Sequence, residues 1–264
     1  MSHTRQEKIE AIGQVIDTLE RLRVECPWDR KQTNQSLRPN TIEETYELCE
    51  ALLNEDNTNI CKELGDVLSH ILFYAKIGEE KAAFDIADVA EALNKKLIFR
   101  HPHVFGEAKA ADAHAVAERW EEIKLKEKGG NRTVLAGVPV SLPALIKAFR
   151  IQEKVANVGF DWHDNADVWD KVKEEVAEFE AEALAGDKDH MEAELGDVLF
   201  SIINAARKYG INPENALERT NRKFISRFNH VENGAMAQGR SLREMSLEEM
   251  DALWNEAKEI ERTR

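Results

Sequence analysis

Two sets of acidic residues stand at one spacing in this 264-residue chain. Glu175 and Glu178 lie three apart, and a gap of sixteen residues leads from Glu178 to Glu194, with Asp197 three beyond. Glu44 and Glu47, then Glu63 and Asp66, repeat the arrangement with the same gap. Residues three or four apart share a helix face, so each pair presents two carboxylates to one side. If consecutive helices are antiparallel neighbours, four carboxylates converge. Two unit charges at about 4–5 Å repel by roughly 3–4 kcal/mol at an effective dielectric of about 20. Such a group needs a cation or raised pKa values. Its ligands are all hard oxygens, which favours Mg²⁺ or Mn²⁺ over zinc. A di-iron carboxylate site would want Glu-x-x-His, and none of the eight histidines stands three residues after a glutamate.

The second acid pair of each set lies in an identical hexapeptide, ELGDVL, at 63–68 and 194–199. A glycine inside a helix costs about 0.8–1.0 kcal/mol relative to alanine. Gly65 and Gly196, each between two acids, therefore predict close approach of another helix or of a bound phosphate. Around the second set, Lys171 lies one turn before Glu175 on the same strip, and His190 and Ser201 lie near the Glu194–Asp197 strip. Glu174, beside Glu175, reads either as a base or as a support of the ligands.

Each signal also has a plainer reading. A lone Glu-x-x-Glu is usually a solvated face, and Glu44 would close a capping box with Thr41. Lys223 and Arg227 alone are a surface basic pair. Beside an acidic metal site they suit a phosphate clamp, Arg by bidentate bonding and Lys as a point charge. Trp254 reads as a core residue or as a platform for a base, and His101 and His103 read as loop packing. The duplication of the acidic sets favours the metal.

The elements that must position these groups repeat as well. The shift of 131 that superposes ELGDVL also places Glu43, Glu44 and Glu47 on Glu174, Glu175 and Glu178. NKKLIFRHPHV at 94–104 meets NRKFISRFNHV at 221–231, WEEIK at 120–124 meets WNEAK at 254–258, and PWD at 27–29 faces GFDW at 159–162. Four blocks in one order mean a duplication. The breakers Gly129, Gly130, Gly137, Pro139 and Pro143 mark the seam. We expect domains at 1–128 and 141–264 joined by a linker at 129–140. Val168, Trp169, Val172, Val176 and Phe179 recur at helical spacing up to Gly186. Leu195, Val198, Leu199, Ile202, Ile203 and Ala206 do so up to Gly210. No alternating strand is evident, so the fold class is all-α, with about five helices per half.

Composition bounds the partners. Apolar residues at 42% and charged residues at 33% suit a globular protein with a core. A net charge of −14 argues against nucleic acid and anionic membranes, though metal ions can invert the local sign for a phosphate substrate. No run of 18 apolar residues exists, and MSHTRQEKIE lacks a signal-peptide core. Cys26, Cys49 and Cys61 show no CxxC spacing and read as reduced thiols, so we expect a cytoplasmic protein.

The chain resembles the MazG nucleoside triphosphate pyrophosphohydrolases of the tandem bacterial type. The first half carries the likeness in CPWDRKQT at 26–33, TIEETYEL at 41–48, KELGDVL at 62–68 and RHPHVF at 100–105. SLPALIKA at 141–148, NVGFDW at 157–162, KEEVAE at 173–178, EAELGDVLF at 192–200 and NRKFISRF at 221–228 carry it in the second. The resemblance implies an all-α pyrophosphatase fold, a homodimer, and Mg²⁺-dependent hydrolysis of NTP to NMP and pyrophosphate, broad over NTPs and dNTPs. It implies metal ligation by Glu175, Glu178, Glu194 and Asp197, with Lys171, His190, Lys223, Arg227 and Trp254 on the nucleotide and Glu174 and Glu175 as the catalytic acids. A weaker site in the first half would use Glu44, Glu47, Glu63, Asp66, Lys96 and Arg100. Asn40 replaces Lys171 there and is expected at a helix start, where it adds no charge. Most catalysis is therefore expected from the second half, with assembly or regulation left to the first. A dUTP- or dCTP-type enzyme, a phosphoribosyl-ATP pyrophosphatase and a non-catalytic nucleotide-sensing helical dimer are the alternatives.

Overall fold

A computed structural model describes residues 2–106, 123 and 133–263. They fall in two compact units, Met1–Lys109 and Ala110–Arg264, called here the N- and C-terminal units. The expected domain end at 128, the start of the linker at 129–132 and Trp120 of the WEEIK block lie outside the described residues.

The described part is helical and contains no strand. The N-terminal unit has α1 (Arg5–Glu25), α2 (Asn34–Leu53), α3 (Asn57–Glu80), α4 (Ile86–Arg100) and the single turn α5 (Pro102–Phe105). The C-terminal unit has α6 (Ala144–Ala156), α7 (Asn165–Ala185), α8 (Lys188–Lys208), α9 (Pro213–Ala237) and α10 (Leu247–Arg262). Equivalent helices start in the register of the repeat. α2 and α7 begin 131 residues apart, as do α3 and α8, while α4 and α9 begin 127 apart.

Local chemistry fixes these boundaries. Asp56 caps α3 by accepting from the N–H groups of Thr58 and Asn59, and Asp187 caps α8 through Asp189 and His190. Gly186 ends α7 in the left-handed conformation, φ +79°. α2 starts earlier than its sequence suggested. Thr33 and Ser36 form its capping box, so Thr41 and Asn40 lie inside the helix rather than at its start. Thr41 instead donates to Leu37 O and bonds His70 and Tyr74.

The two longest contacts run between α2 and α3 in the first unit and between α7 and α8 in the second. Leu37, Phe73 and Ile77 form a buried cluster flanked by Leu19 and Tyr74. Val168, Val172 and Ala205 form its counterpart. Part of the apolar stripe on α8 does not enter that core. Leu195, Leu199 and Ile202 are exposed, as are the equivalents Leu64 and Ile71 on α3.

Candidate metal centre

In the C-terminal unit α7 contributes Glu175 and α8 contributes Glu194 and Asp197, and one carboxylate oxygen of each lies within 4.8 Å of the others. Glu44 from α2 with Glu63 and Asp66 from α3 make the same group in the N-terminal unit. The helices bring three of the four expected carboxylates of each set into one tight group.

Glu178 and Glu47 stand at its edge, exposed. Both carboxyls are nevertheless pushed up, first by local desolvation and then by neighbouring acids: Glu175, Glu194 and Glu174 around Glu178, and Glu63, Glu44 and Glu43 around Glu47. Each therefore feels the negative potential of its cluster.

One carboxylate in each group is buried, and the two units bury different ones. Glu175 on α7 is the buried member in one, Glu63 on α3 in the other. Under the repeat these are not equivalents, since Glu175 matches Glu44 and Glu63 matches Glu194. A lysine follows the buried charge. Lys171 Nζ lies 2.8 Å from Glu175 and 2.9 Å from Glu174, while Lys62 Nζ lies 2.8 Å from Glu63 and 3.8 Å from Asp66. The hydrogen bonds of Glu175 and then Glu174 hold the Lys171 ammonium well above the ordinary lysine range. A buried carboxylate requires such a partner. The N-terminal cluster thus has its own ammonium, supplied by a residue that sequence comparison with Lys171 missed.

These groups fit a hard divalent cation. All the donors are carboxylate oxygens, and Glu63 Oε2 is buried with no hydrogen-bond partner. An added Cβ at Gly65 or Gly196 would meet nothing within 4 Å. No described helix approaches either glycine, so that part of the expectation fails and only open space adjoins the acids there.

A cavity of about 330 Å³ adjoins the C-terminal carboxylates, with Lys171, Glu175 and Asp197 in its lining. Val155, Phe160, Trp162, Val168 and Phe200 supply apolar walls, and Gln152, Ser201 and Asn204 add polar groups. Gln152 Nε2 donates to Phe200 O at 2.7 Å, which fixes the orientation of the amide; its Oε1 is buried without a partner. Asn204 Oδ1 accepts from Arg207 at 3.0 and 2.8 Å. Arg207 also pairs with Asp161, as does Lys208 at 3.3 Å, and Lys208 Nζ donates to Trp162 O at 2.6 Å. The loop carrying Phe160 and Trp162 is thereby tied to α8.

Gln152 and Asn204 were not legible as site residues, because they lie outside the repeated blocks. Their one signal is a mismatch: the equivalent of Asn204 is Phe73.

The remaining candidates are placed elsewhere. His190 sits at the start of α8, exposed, with its ring 3.3 Å from Asp187 and 3.6 Å from Glu182. Arg227 on α9 pairs with Glu261 at 2.7 Å and lies over the Trp254 ring at 5.6 Å. Trp254 also packs against Phe224, at 5.0 Å between centroids. Among the described residues, no hydrogen bond or ion pair joins His190, Lys223, Arg227 or Trp254 to the carboxylates. Lys96 and Arg100 lie on α4, which packs on α3.

Comparison with known proteins agrees with this duplicated arrangement. The family model described as "MazG nucleotide pyrophosphohydrolase domain" matches twice, at residues 32–105 and 165–232. A nucleoside triphosphate pyrophosphohydrolase of Escherichia coli is 40% identical over 95% of this chain and 98% of its own length. The nucleoside triphosphate pyrophosphohydrolase/pyrophosphatase MazG of Thermotoga maritima is 42% identical over 93% of this chain and 94% of its own. An uncharacterized Bacillus subtilis protein, YabN, is 50% identical over 90% of this chain, which spans 49% of that protein. With two domain matches in register with two carboxylate clusters, and relatives aligned along nearly the whole chain, the protein belongs to the MazG family.

Proposed function

We propose that the protein hydrolyses nucleoside triphosphates to the monophosphate and diphosphate, with Mg²⁺ or Mn²⁺ at Glu175, Glu194 and Asp197. The observation that carries this reading is the continuity of the cavity with those carboxylates. An aromatic and aliphatic pocket suits a nucleoside, while a cation beside it suits the phosphates. Cleavage between the α- and β-phosphates then leaves the nucleoside half in the cavity. The walls are mostly apolar side chains that grip any base face, which favours a broad range of NTPs and dNTPs.

When bound, the ion supplies charge neutralisation on the phosphates and a more acidic water. The protein's own groups do the rest. Lys171 lies on the shared border of cavity and cluster and is placed to neutralise phosphate oxygen as well as Glu175. Glu174 supports Lys171 from its solvent side. Glu178, whose own carboxyl is raised by local desolvation and then by the charges of Glu175, Glu194 and Glu174, is assigned as the fourth acid that would help hold the cation. Gly196 leaves open space for a phosphate between Glu194 and Asp197.

We further assign a homodimer as the working assembly. The exposed leucines and isoleucine of α8, with their equivalents on α3, are a large apolar surface for a monomer to leave in water. Lys223, Arg227 and Trp254, which among the described residues have no hydrogen bond or ion pair to the clustered carboxylates, are assigned to substrate in that assembly. Three free thiols, two of them exposed, suit the cytoplasm, and among the described residues no helix is long and apolar enough to cross a membrane.

Product analysis tests the reading. ATP with Mg²⁺ should give AMP and pyrophosphate and none of either in excess EDTA. Orthophosphate as the first product, or full activity in EDTA, would refute it.

A further inference from the structure

We infer, on the reading of the cavity as the nucleoside site, that Asn204 reads the base. Arg207 holds its amide as a fixed hydrogen-bond donor, so the site prefers a carbonyl at the outer edge of the base over an amino group. Guanine and uracil nucleotides are then favoured over adenine and cytosine nucleotides.

The cavity has a direction. On α7 its lining runs from Glu175 through Lys171 to Val168, and on α8 from Asp197 through Ser201 to Asn204. It therefore starts at the carboxylates and follows the two helices away from them. Asn204 is seven residues beyond Asp197, about 10 Å along the axis at roughly 1.5 Å per residue. With the phosphates at the carboxylates, the sugar passes Ser201 and the far edge of the base meets Asn204. That edge carries the exocyclic group in which the bases differ. It is an oxygen acceptor in guanine and in the uracil and thymine ring, and an amino donor in adenine and cytosine.

The polarity of Asn204 is fixed by its neighbours. Its Oδ1 accepts from Arg207 Nε at 3.0 Å and from Nη2 at 2.8 Å. A guanidinium only donates, so the amide oxygen faces it and the amide nitrogen faces away. Arg207 is pinned in turn by its ion pair with Asp161. Asn204 is 5% exposed. Its amide nitrogen has no hydrogen-bond partner among the described residues, yet it is not enclosed, unlike Gln152 Oε1. In a buried residue that lines the cavity, the open side of that nitrogen is the cavity. A carbonyl oxygen arriving there gains a hydrogen bond. An amino group meets the amide donor to donor and leaves both unpaired. The apolar walls still hold all four bases, so the effect is a ratio and not an exclusion.

The test exchanges the donor for an acceptor of the same shape. In the parent, kcat/KM for GTP and UTP should exceed that for ATP and CTP by about tenfold. Asn204→Asp keeps the bond to Arg207 but offers an oxygen to the cavity, and the order should reverse. Arg207→Met frees the amide to turn, and the preference should vanish. Circular dichroism reports whether each variant folds; if Asn204→Asp does not, Asn204→Ala, which removes the donor, should also abolish the preference. Calorimetric dissociation constants for GMP, UMP, AMP and CMP with Mg²⁺ should follow the same orders. They need no turnover, so a failure to release monophosphate from any triphosphate would sink the proposed reaction while the binding order still decides the role of Asn204. A parent with no preference for guanine and uracil, or an Asn204→Asp or Asn204→Ala chain that keeps the preference, would overturn the inference. Full preference in Arg207→Met would overturn the lock.

Discussion

Lys171 stands one helical turn before Glu175 on α7, and its ammonium lies 2.8 Å from that buried carboxylate. It is the only cation within ion-pair distance of the C-terminal acidic group among the described residues, and it borders the cavity as well. Replacing it with methionine keeps the packing of the stem but removes the charge. We expect Lys171→Met to lower kcat/KM for ATP by about 10²-fold, the usual scale for one electrostatic contact to developing charge. Steady-state kinetics at saturating Mg²⁺ checks this, and an unchanged kcat/KM would deny Lys171 a place on the substrate.

Asn204 and Gln152 are the polar groups whose position predicts base discrimination. Asn204→Ala should shift the ratios of kcat/KM among ATP, GTP, CTP and UTP by about tenfold, the scale of a lost polar contact in a pocket that is otherwise apolar. A uniform change across all four would assign Asn204 to packing, through its bonds to Arg207.

Glu178 gives a pH signature without substrate. Local desolvation, then the charges of Glu175, Glu194 and Glu174, raise its carboxyl above the ordinary value of 4.5. The folded state thus holds this proton more tightly than the unfolded chain. Stability contributed by that proton is lost as pH rises from the ordinary value through the raised one. In EDTA, Glu178→Gln should therefore gain stability over the parent as pH rises through that window, and Mg²⁺ should narrow the difference. Urea midpoints at a series of pH values measure it; a difference that shrinks with rising pH would contradict the sign.

Asp161 behaves in the opposite sense. Burial would raise its carboxyl, but the hydrogen bond and charge of Arg207, with Lys208, outweigh that and hold it below the ordinary value of 3.8. Its stabilising contribution is present above that value and is lost as pH falls through the depressed one. Both cations are 14% exposed, so Asp161→Asn strands two poorly hydrated charges and should cost about 2–3 kcal/mol. It should also raise KM, because the loop carrying Phe160 and Trp162 is released. Chemical denaturation at neutral pH checks the first effect, and an unaltered midpoint would refute it.

The helices and the carboxylates were legible because both follow from spacing. ELGDVL supplied a register that the starts of α2 and α7, and of α3 and α8, reproduce to the residue. Periodicity could not show which acid of each set is buried, since that depends on how far α2 and α3, or α7 and α8, are rotated about each other. Lys62 escaped notice for the same reason: it serves Glu63 from a position whose equivalent is Ala193. The plainer alternative, a capping box of Thr41 with Glu44, does not form, because Thr33 and Ser36 cap the helix two turns earlier. The cavity was invisible because Gln152, Phe160 and Asn204 come from three segments that only the fold brings together.

The division of labour between the two units is tested most directly by a matched pair of variants. Asp197 and Asp66 are equivalents, each in a group of three carboxylates within 4.8 Å, but only Asp197 borders the cavity. Release of AMP from saturating ATP and Mg²⁺ should fall by about 10³-fold in Asp197→Asn, since a metal clamp fails as a unit. Asp66→Asn should retain most of the parent rate. Abolished turnover in Asp66→Asn, with Asp197→Asn still active, would contradict the assignment of catalysis to the C-terminal unit.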